Sequence, residues 1–517
     1  MYNNRLIDIT ISAQQAFVEK DYRKYLTDKV GDIPKSHTVS LKKRSIDARN
    51  RNIKVNCQLE ISNKRICQEI FLVDNNVARA KPVVVVGAGP AGMFAAIELI
   101  RNGLKPILIE RGSLTSARKR EIAQMYRSME INENSNLCFG AGGAGTFSDG
   151  KLYTRSKKKQ EMHQVLSIFH EAGASGEILI DAHPHIGSDK LPAIVDNLLA
   201  YITNAGGEIM FNTKFHKLNI KTGKATGVVL SGGQSIDAES VVLATGHSAR
   251  DVYYNLQDQG VALEAKPFAV GVRIEHPREL IDQLQYNTKN VPNYLPSATY
   301  SFAEQVDGRG VYSFCMCPGG LIVSASTNNG ELVVNGMSPS HRKAPFSNSG
   351  LVVELRLEDF ESFAKYGALR GLEFQKYLEM QIYSAGGGDF VAPAQRIADF
   401  CHGKTNSEVI SGSYIPGCKS TDVGGVLPRF IGNRLKKGIV QIDKKKKGFC
   451  TNEGHIVAVE SRTSSPIRIP RDKESFQHLQ IKNLYPCGEG AGYAGGITSS
   501  AIDGILVARS IAEELQK

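Results

Sequence analysis

The chain alternates short apolar runs with longer segments of helical period, and the first strong instance lies between residues 83 and 112, VVVVGAGPAGMFAAIELIRNGLKPILIERG. Four consecutive valines read as a short strand buried on both faces. Residues 91–102 carry the period of a helix, Gly103 stands where a C-terminal cap is expected, and residues 107–109 read as a second strand. Further helices are predicted over residues 114–129, 157–172 and 191–205. A strand at 208–214, a β-meander over 218–230 and 234–237, and a strand at 240–244 follow. From about residue 250 the pattern changes to strands at 269–277, 311–316 and 321–326, with a glycine loop at 386–388 and a basic, hairpin-like surface around 436–437 and 444–447. The chain closes with a strand at 484–487, a glycine loop and a helix from 497 to about 515. Ahead of all this, residues 1–80 read as a small module with strands at 6–12, 37–41 and 52–61, a helix at 13–25 and a third strand candidate at 66–73.

These patterns predict an α/β protein in three parts. They are an N-terminal α+β module (1–80), a Rossmann-like nucleotide-binding domain with a β-meander (81–255 and 481–517), and an inserted α+β substrate domain (256–480). A length of 517 residues fits two or three cores better than one. The nine cysteines include no C-x-x-C pair, so neither a zinc ribbon nor a disulfide framework is indicated, and a reducing cytoplasm is expected. Residues 82–100 are apolar enough to resemble a membrane span but carry Glu98 and three glycines, which excludes that reading. The net charge of +11 is concentrated at the N-terminus, where residues 1–80 hold 15 Lys and Arg against 9 Asp and Glu. Lys42, Lys43, Arg44, Arg49 and Arg51 form a basic cluster there, read as a solvated face or a nucleic-acid patch.

Candidate chemistry gathers at three glycine-rich stations. At the first, Gly87, Gly89 and Gly92 have the G-x-G-x-x-G spacing, with Pro90 and Ala91 opening the helix that would face a pyrophosphate. Glu110, followed by Arg111, ends the second strand where an acid meets a ribose hydroxyl. The second station is a loop, Gly142, Gly143, Gly145, Thr146, Ser148, Asp149, Gly150 and Lys151, whose backbone can lie against a flavin or its pyrophosphate. Ala244, Thr245 and Gly246 end a later strand. The third station, Gly488, Glu489, Gly495, Gly496 and Ile497, presents a second helix N-terminus suited to negative charge. Two histidines, His183 and His185, lack further metal ligands at suitable spacing, so no metal is expected.

Taken together, the stations resemble those of FAD proteins of the glutathione-reductase-like and p-hydroxybenzoate-hydroxylase-like superfamily. More narrowly, the chain resembles a bacterial family of uncharacterised FAD-dependent, or NAD-utilising, dehydrogenases. The resemblance is carried by KKRSIDAR (42–49), GAGGAGTFSDGKL (140–152), HIGSDKL (185–191), KPFAVGVRIEHP (266–277), FCMCPGG (314–320) and GEGAGYAGGITSSAIDG (488–504). Glu489 departs from the Asp usual in the wider superfamily. The resemblance implies non-covalent FAD and an oxidoreductase with a small-molecule substrate. No second strand–G-x-G-x-x-G–helix unit occurs and the C-x-x-x-x-C pair of disulfide reductases is absent, so NAD(P)H would reduce the flavin by transient docking. The candidate reaction groups are Cys315 and Cys317 as a thiol relay, Arg273 as a clamp for a carboxylate substrate, and Glu275 or His276 as a proton-transfer group. Two other classes stay open, an RNA-directed flavoenzyme using the basic module and a non-catalytic flavin-binding scaffold.

Overall fold

A computed structural model describes residues 5–50, 52–63, 69–405, 408 and 411–516. The N-terminal segment folds as β1 (Arg5–Ser12), α1 (Tyr22–Val30), β2 (Thr38–Asp47) and β3 (Lys54–Ser62), with an antiparallel sheet in the order β1-β3-β2. The helix expected at 13–25 is broken. A single wide turn spans Gln15–Glu19, Lys20 turns left-handed at φ 53°, and Asp21 caps a new helix by accepting the Lys24 N–H at 3.1 Å. Of the strand expected at 66–73, residues 64–68 lie outside the described residues and 69–73 form no strand. The N–H groups of Phe71 and Leu72 instead donate to the Glu171 carboxylate, at distances of 2.8–3.1 Å.

The nucleotide-binding region follows in chain order as β4 (Pro82–Val86), α2 (Pro90–Arg101), β5 (Lys105–Ile109), α3 (Thr115–Ser128), α4 (Lys159–Glu171), α5 (Leu191–Asn204) and β6 (Glu208–Met210). The meander β7 (Phe215–Lys221), β8 (Lys224–Leu230) and β9 (Ser235–Asp237) leads to β10 (Ser240–Leu243) and α6 (Arg250–Asp258). The strand expected at 208–214 stops at Met210.

The next region comprises β11 (Glu264–Ala265), β12 (Phe268–Pro277), α7 (Arg278–Tyr286), β13 (Ala303–Val306), β14 (Arg309–Cys317), β15 (Leu321–Ser324), β16 (Val334–Met337) and β17 (Phe346–Leu355). It continues with α8 (Arg370–Gly386), β18 (Ala392–Arg396), α9 (Ile397–His402), β19 (Cys418–Ser420), α10 (Val423–Val426), α11 (Arg429–Lys445) and β20 (His455–Glu460). Then β21 (Ile467–Arg468), β22 (Leu484–Pro486) and α12 (Ile497–Leu515) end the chain. The basic surface read as a hairpin is largely the helix α11. Its buried Ile431, Leu435, Gly438, Ile439 and Ile442 keep a helical period, and the lysines stand on the other face.

Two sheets position everything of interest. The parallel sheet runs β22-β10-β4-β5-β6, so the strand from the far end of the chain lies next to β10 and completes the nucleotide-binding sheet. Its valines are wholly buried because α2, α5 and α12 cover one face and the meander with α6 covers the other. Helix α12 packs along α2 so closely that a Cβ on Gly504 would lie 2.2 Å from the Ala91 carbonyl oxygen. The second sheet has seven strands, β13-β14-β17-β12-β20-β18-β19, with β12 at its centre and buried over nearly its whole length. No helix among the described residues is long and apolar enough to cross a membrane.

The N-terminal sheet is tied to this body through Arg44. Its N–H donates to the Ile180 carbonyl at 3.0 Å, and its guanidinium forks onto Asp181 at 2.8 and 3.1 Å. Three members of the basic cluster are thus paired, Lys42 with Glu60, Arg44 with Asp181 and Arg49 with Asp47; Arg51 lies outside the described residues.

Candidate functional site

The turn after β4 separates glycines needed by the chain from one that is not. Gly87 has φ +104°, and a Cβ there would lie 2.4 Å from the Ala244 carbonyl oxygen; a Cβ on Gly92 would lie 1.8 Å from the Gly87 oxygen. Both are dictated by packing. Gly89 has an ordinary extended backbone, φ −77° and ψ −177°, and the nearest atom to its missing Cβ is 3.9 Å away. Nothing in the protein requires glycine there. The bare backbone lies at the start of α2 with only the Gly143 Cα in ordinary van der Waals reach, which lets a pyrophosphate approach the helix N-terminus. Gly495 and Gly496 repeat this at the start of α12, where nothing lies closer than 4.0 Å.

These stations meet in space. A Cβ on Gly143 would lie 3.0 Å from the Gly89 Cα, and one on Gly145 would lie 3.3 Å from Ile497 and 3.5 Å from Pro90. Gly490 packs on Gly246. The buried Glu110 carboxylate accepts N–H groups of Ala88, Gly112 and Gly140 at 2.9–3.0 Å, which leaves one lone-pair position for a ribose hydroxyl. A cleft beside it is lined by Val86, Phe139, Thr213, Phe215 and Thr245. Phe139, Thr213 and Phe215 were not found from the sequence, since they follow no motif. Arg111 also lines this cleft, with its guanidinium over the Phe139 ring and paired to Asp251 at 2.8 Å. Glu489 is partly exposed, its Oε1 3.2 Å from the otherwise unpartnered Nδ1 of His247. Lys266 and Arg468, also missed, face the same loop. Burial, Arg468 and Glu489 act on Lys266 with a net lowering of its pKa, and Arg468 lies over the Tyr493 ring.

The polar side chains of the second station turn inward. Thr146 donates to the Ala141 carbonyl and Ser148 to the Gly145 carbonyl, both at 2.7 Å. Asp149 is held by Arg342 at 3.0 and 2.5 Å, with Lys151 Nζ 3.2 Å from it. Its burial would raise the carboxyl pKa, but Lys151 and Arg342 outweigh that and keep it well below the usual range. The ligand-facing part of this loop is therefore backbone, and its side chains brace it.

Lys151 leads to the thiol pair. Its Nζ is 3.9 Å from Cys317 Sγ, and the next residue, Leu152, accepts the hydroxyl of Thr498 in the first turn of α12 at 2.8 Å. Cys315 and Cys317 lie at a bulge where the β14–β17 register shifts between Phe314 and Cys317, with Cys315 at φ 44°. Two cysteines two apart on a regular strand share a face but sit roughly 6.6 Å apart. At the bulge the Cys317 thiol donates to the Cys315 carbonyl at 3.4 Å.

The remaining candidates need correction. Arg273 is not free to clamp a substrate, with four of its five N–H donors engaged inside the protein. It bonds Asn348 at 3.0 Å, Glu460 at 3.0 Å, the Cys315 carbonyl at 2.7 Å and Cys317 Sγ at 3.4 Å, with no solvent exposure. It is an internal ion pair that props the thiol pair. Glu275 is equally buried. It accepts the Ser413 N–H at 3.0 Å and the Ser413 hydroxyl, and burial pushes its carboxyl up to about 7. His276 Nε2 donates to the Phe449 carbonyl at 2.8 Å, its Nδ1 has no partner among the described residues, and burial pushes its pKa down to about 4. Neither is exposed, so neither is placed to exchange protons with a substrate. The His183 ring lies tilted against Tyr153, with centroids 4.9 Å apart, and His185 bonds the Ser340 carbonyl; no metal-holding group of side chains occurs among the described residues.

The converging glycine stations, the open backbone at Gly89 and the acid at the end of β5 define a nucleotide-binding flavoenzyme. Comparison with known families agrees. An FAD binding domain matches residues 80–246, a family described as FAD-dependent protein, C-terminal domain-like, matches 267–463, and a domain of unknown function matches 3–62. The chain binds FAD and belongs to the FAD-dependent oxidoreductase and monooxygenase superfamily. Within it, the chain belongs to the family of an uncharacterized protein of Clostridium beijerinckii, to which it is 40% identical over 98% of both chains. Protein FixC of Escherichia coli is 27% identical over 40% of this chain and 46% of its own. The thiamine thiazole synthase of Thermotoga maritima is 23% identical over 42% and 75%. Among solved structures, the flavin-dependent brominase Bmp2 aligns over 84% of this chain and 79% of its own, at 13% identity and a TM-score of 0.36.

Proposed function

We propose that this FAD-dependent oxidoreductase acts on a small molecule, with Cys315 and Cys317 as the protein groups that exchange electrons with it. The observation that carries this reading is the physical link from the pair, through Lys151 and Leu152, to the first turn of α12. When bound, FAD supplies a two-electron sink or source. Closing the pair to a disulfide forms one S–S bond, breaks one S–H bond and releases two electrons and one proton, starting from a thiol and a thiolate. The chain's remaining tasks are orientation and exclusion of water. Gly89, Gly495 and Gly496 offer bare backbone, Glu110 a ribose contact, and Arg273 a rigid prop. We further propose that residues 81–255 with 481–517 carry the cofactor and 256–480 the thiol site. NAD(P)H is proposed as donor by transient docking, since one dinucleotide unit is present, and nine cysteines with no C-x-x-C pair fit a cytoplasmic setting.

Anaerobic mixing with NADH, NADPH and a metabolite panel, read by flavin absorbance, tests this. Bleaching by a donor and reoxidation by one metabolite is expected. No reduction by any donor would favour a non-catalytic scaffold. The RNA-directed reading is weaker because three members of the basic cluster are internally paired. Salt-sensitive RNA binding would revive it.

A further inference from the structure

We infer that Lys266 and Arg468 form a binding site for an anionic group, phosphate or carboxylate, on a small ligand other than FAD; this rests on the reading of the chain as a flavoenzyme acting on a small molecule, and not on the thiol pair. The chain leaves the parallel sheet at β10, enters the seven-stranded sheet at β12, and returns from β20 to β22. On the way out it forms β11 and on the way back β21, and these two pair as a short antiparallel ribbon. The register opposes Glu264 to Arg468 and Ala265 to Ile467, and the Lys266 N–H carries it one step further by donating to the Pro466 carbonyl at 2.8 Å. Lys266 and Arg468 are therefore diagonal neighbours on one face of the ribbon, within reach of each other's long side chains. They stand at the crossing between two sheets, and such junctions are common seats for small ligands.

The protein leaves both cations unanswered. Among the described residues the Arg468 guanidinium makes no ion pair or hydrogen bond, and its Nε is buried without a partner. Glu264, opposite it in the ribbon, is exposed and forms no ion pair with it. Lys266 Nζ has the Ser465 carbonyl at 3.5 Å, the outer limit of a hydrogen bond. Burial and then Arg468 push the Lys266 pKa down, and Glu489 offsets part of that. Two like charges held together half out of water are costly, and an anion between them relieves both. The contrast is Arg471, which lies over the same Tyr493 ring but forks onto Asp503 at 2.6 and 2.9 Å. Arg471 braces the fold, and Arg468 is spare. The ribbon also lies against the glycine loop before α12. A Cβ on Gly492 would lie 3.2 Å from the Arg468 Cα, and the Ile469 N–H donates to the Ala491 carbonyl at 3.2 Å. Tyr493, Gly495 and Gly496 of that loop are exposed, so a ligand can enter beside them. The diphosphate of FAD has its own seat at Gly89 and the start of α2, which leaves these cations for a second ligand. The clamp expected at Arg273, which is closed by internal bonds, has its free counterpart here.

The test is isothermal titration of the FAD-loaded protein with inorganic phosphate and, separately, with succinate, at fixed ionic strength so that screening is constant. One saturable site per chain is expected for at least one probe, and the tighter probe tells phosphate from carboxylate. Arg468→Gln and Lys266→Gln should each weaken that binding about tenfold or more, as for the loss of a hydrogen bond between charged groups. Arg468→Lys, which keeps the charge, should lose less. FAD affinity, from fluorescence titration of stripped protein, should be unchanged in both glutamine variants. No saturable site for either probe, or wild-type probe affinity in either glutamine variant, would overturn the inference. So would a matching loss of FAD affinity, since the cations would then serve the cofactor. If Arg468→Gln does not fold, Lys266→Gln decides. Titration needs no turnover, so a protein that binds the anion but is reduced by no donor keeps this site and loses the proposed reaction.

Discussion

Alanine at position 89 separates what a glycine does for the fold from what it does for a ligand. Gly89 already has a backbone that alanine adopts without strain, and its missing Cβ has no neighbour within 3.9 Å. Replacing glycine by alanine at a compatible position stabilises by about 0.4–1 kcal/mol through the unfolded chain. Alanine is a poorer N-cap than glycine, by roughly 0.5–1 kcal/mol. The two offset, so the apoprotein's stability should stay within about 0.5 kcal/mol of wild type. Binding should not be spared. A methyl on this face separates the phosphate from the N–H groups at the start of α2, and each hydrogen bond to a charged group lost costs about 1.5–3 kcal/mol. FAD affinity should fall roughly ten- to hundredfold for one such bond. Gly87→Ala is the contrast. Its φ of +104° and a contact of 2.4 Å with a carbonyl oxygen should destabilise the apoprotein itself. Urea unfolding of FAD-stripped protein and fluorescence titration with FAD measure the two effects separately. Wild-type FAD affinity in Gly89→Ala would refute the assignment of that surface to the pyrophosphate.

Four other outcomes are expected. Cys315→Ser and Cys317→Ser should each abolish turnover while the flavin spectrum of the purified protein is unchanged; full activity in both removes the thiol relay. Asp149→Asn should destabilise by about 3–5 kcal/mol in urea unfolding, because it leaves Arg342 and Lys151 without their shared carboxylate. Burial would raise the pKa of Glu379, but Arg250 and Arg462 hold it down to about 2. As a depressed carboxyl, it contributes stability fully present above its usual pKa of 4.5 and lost as pH falls through about 2, so the deficit of Glu379→Gln at pH 7 should shrink on acidification over that window. Arg44→Ala should free the N-terminal sheet, seen as faster proteolysis within residues 63–80 with FAD still bound, since Arg44 forks onto Asp181 across the junction.

The nucleotide-binding unit was legible because its determinants are local. Strand, turn, helix and second strand lie within thirty residues, and the G-x-G-x-x-G spacing states a backbone requirement directly. Helix α11 was misread because a run of lysines hid the apolar spacing of Leu435, Ile439 and Ile442. The chemistry around the thiols was legible only as residue types. Cys315 and Cys317 stand out as a pair, but Arg273 was read as a free clamp because its partner Glu460 lies 187 positions away. Lys151 meets Cys317 across 166 positions, and Arg342 meets Asp149 across 193. By itself the sequence determined the cofactor and the α/β nucleotide-binding unit, since both follow from short-range backbone geometry. Only the tertiary structure decided which charges are spent on one another. Such pairing depends on distances between strands and loops that no local pattern encodes.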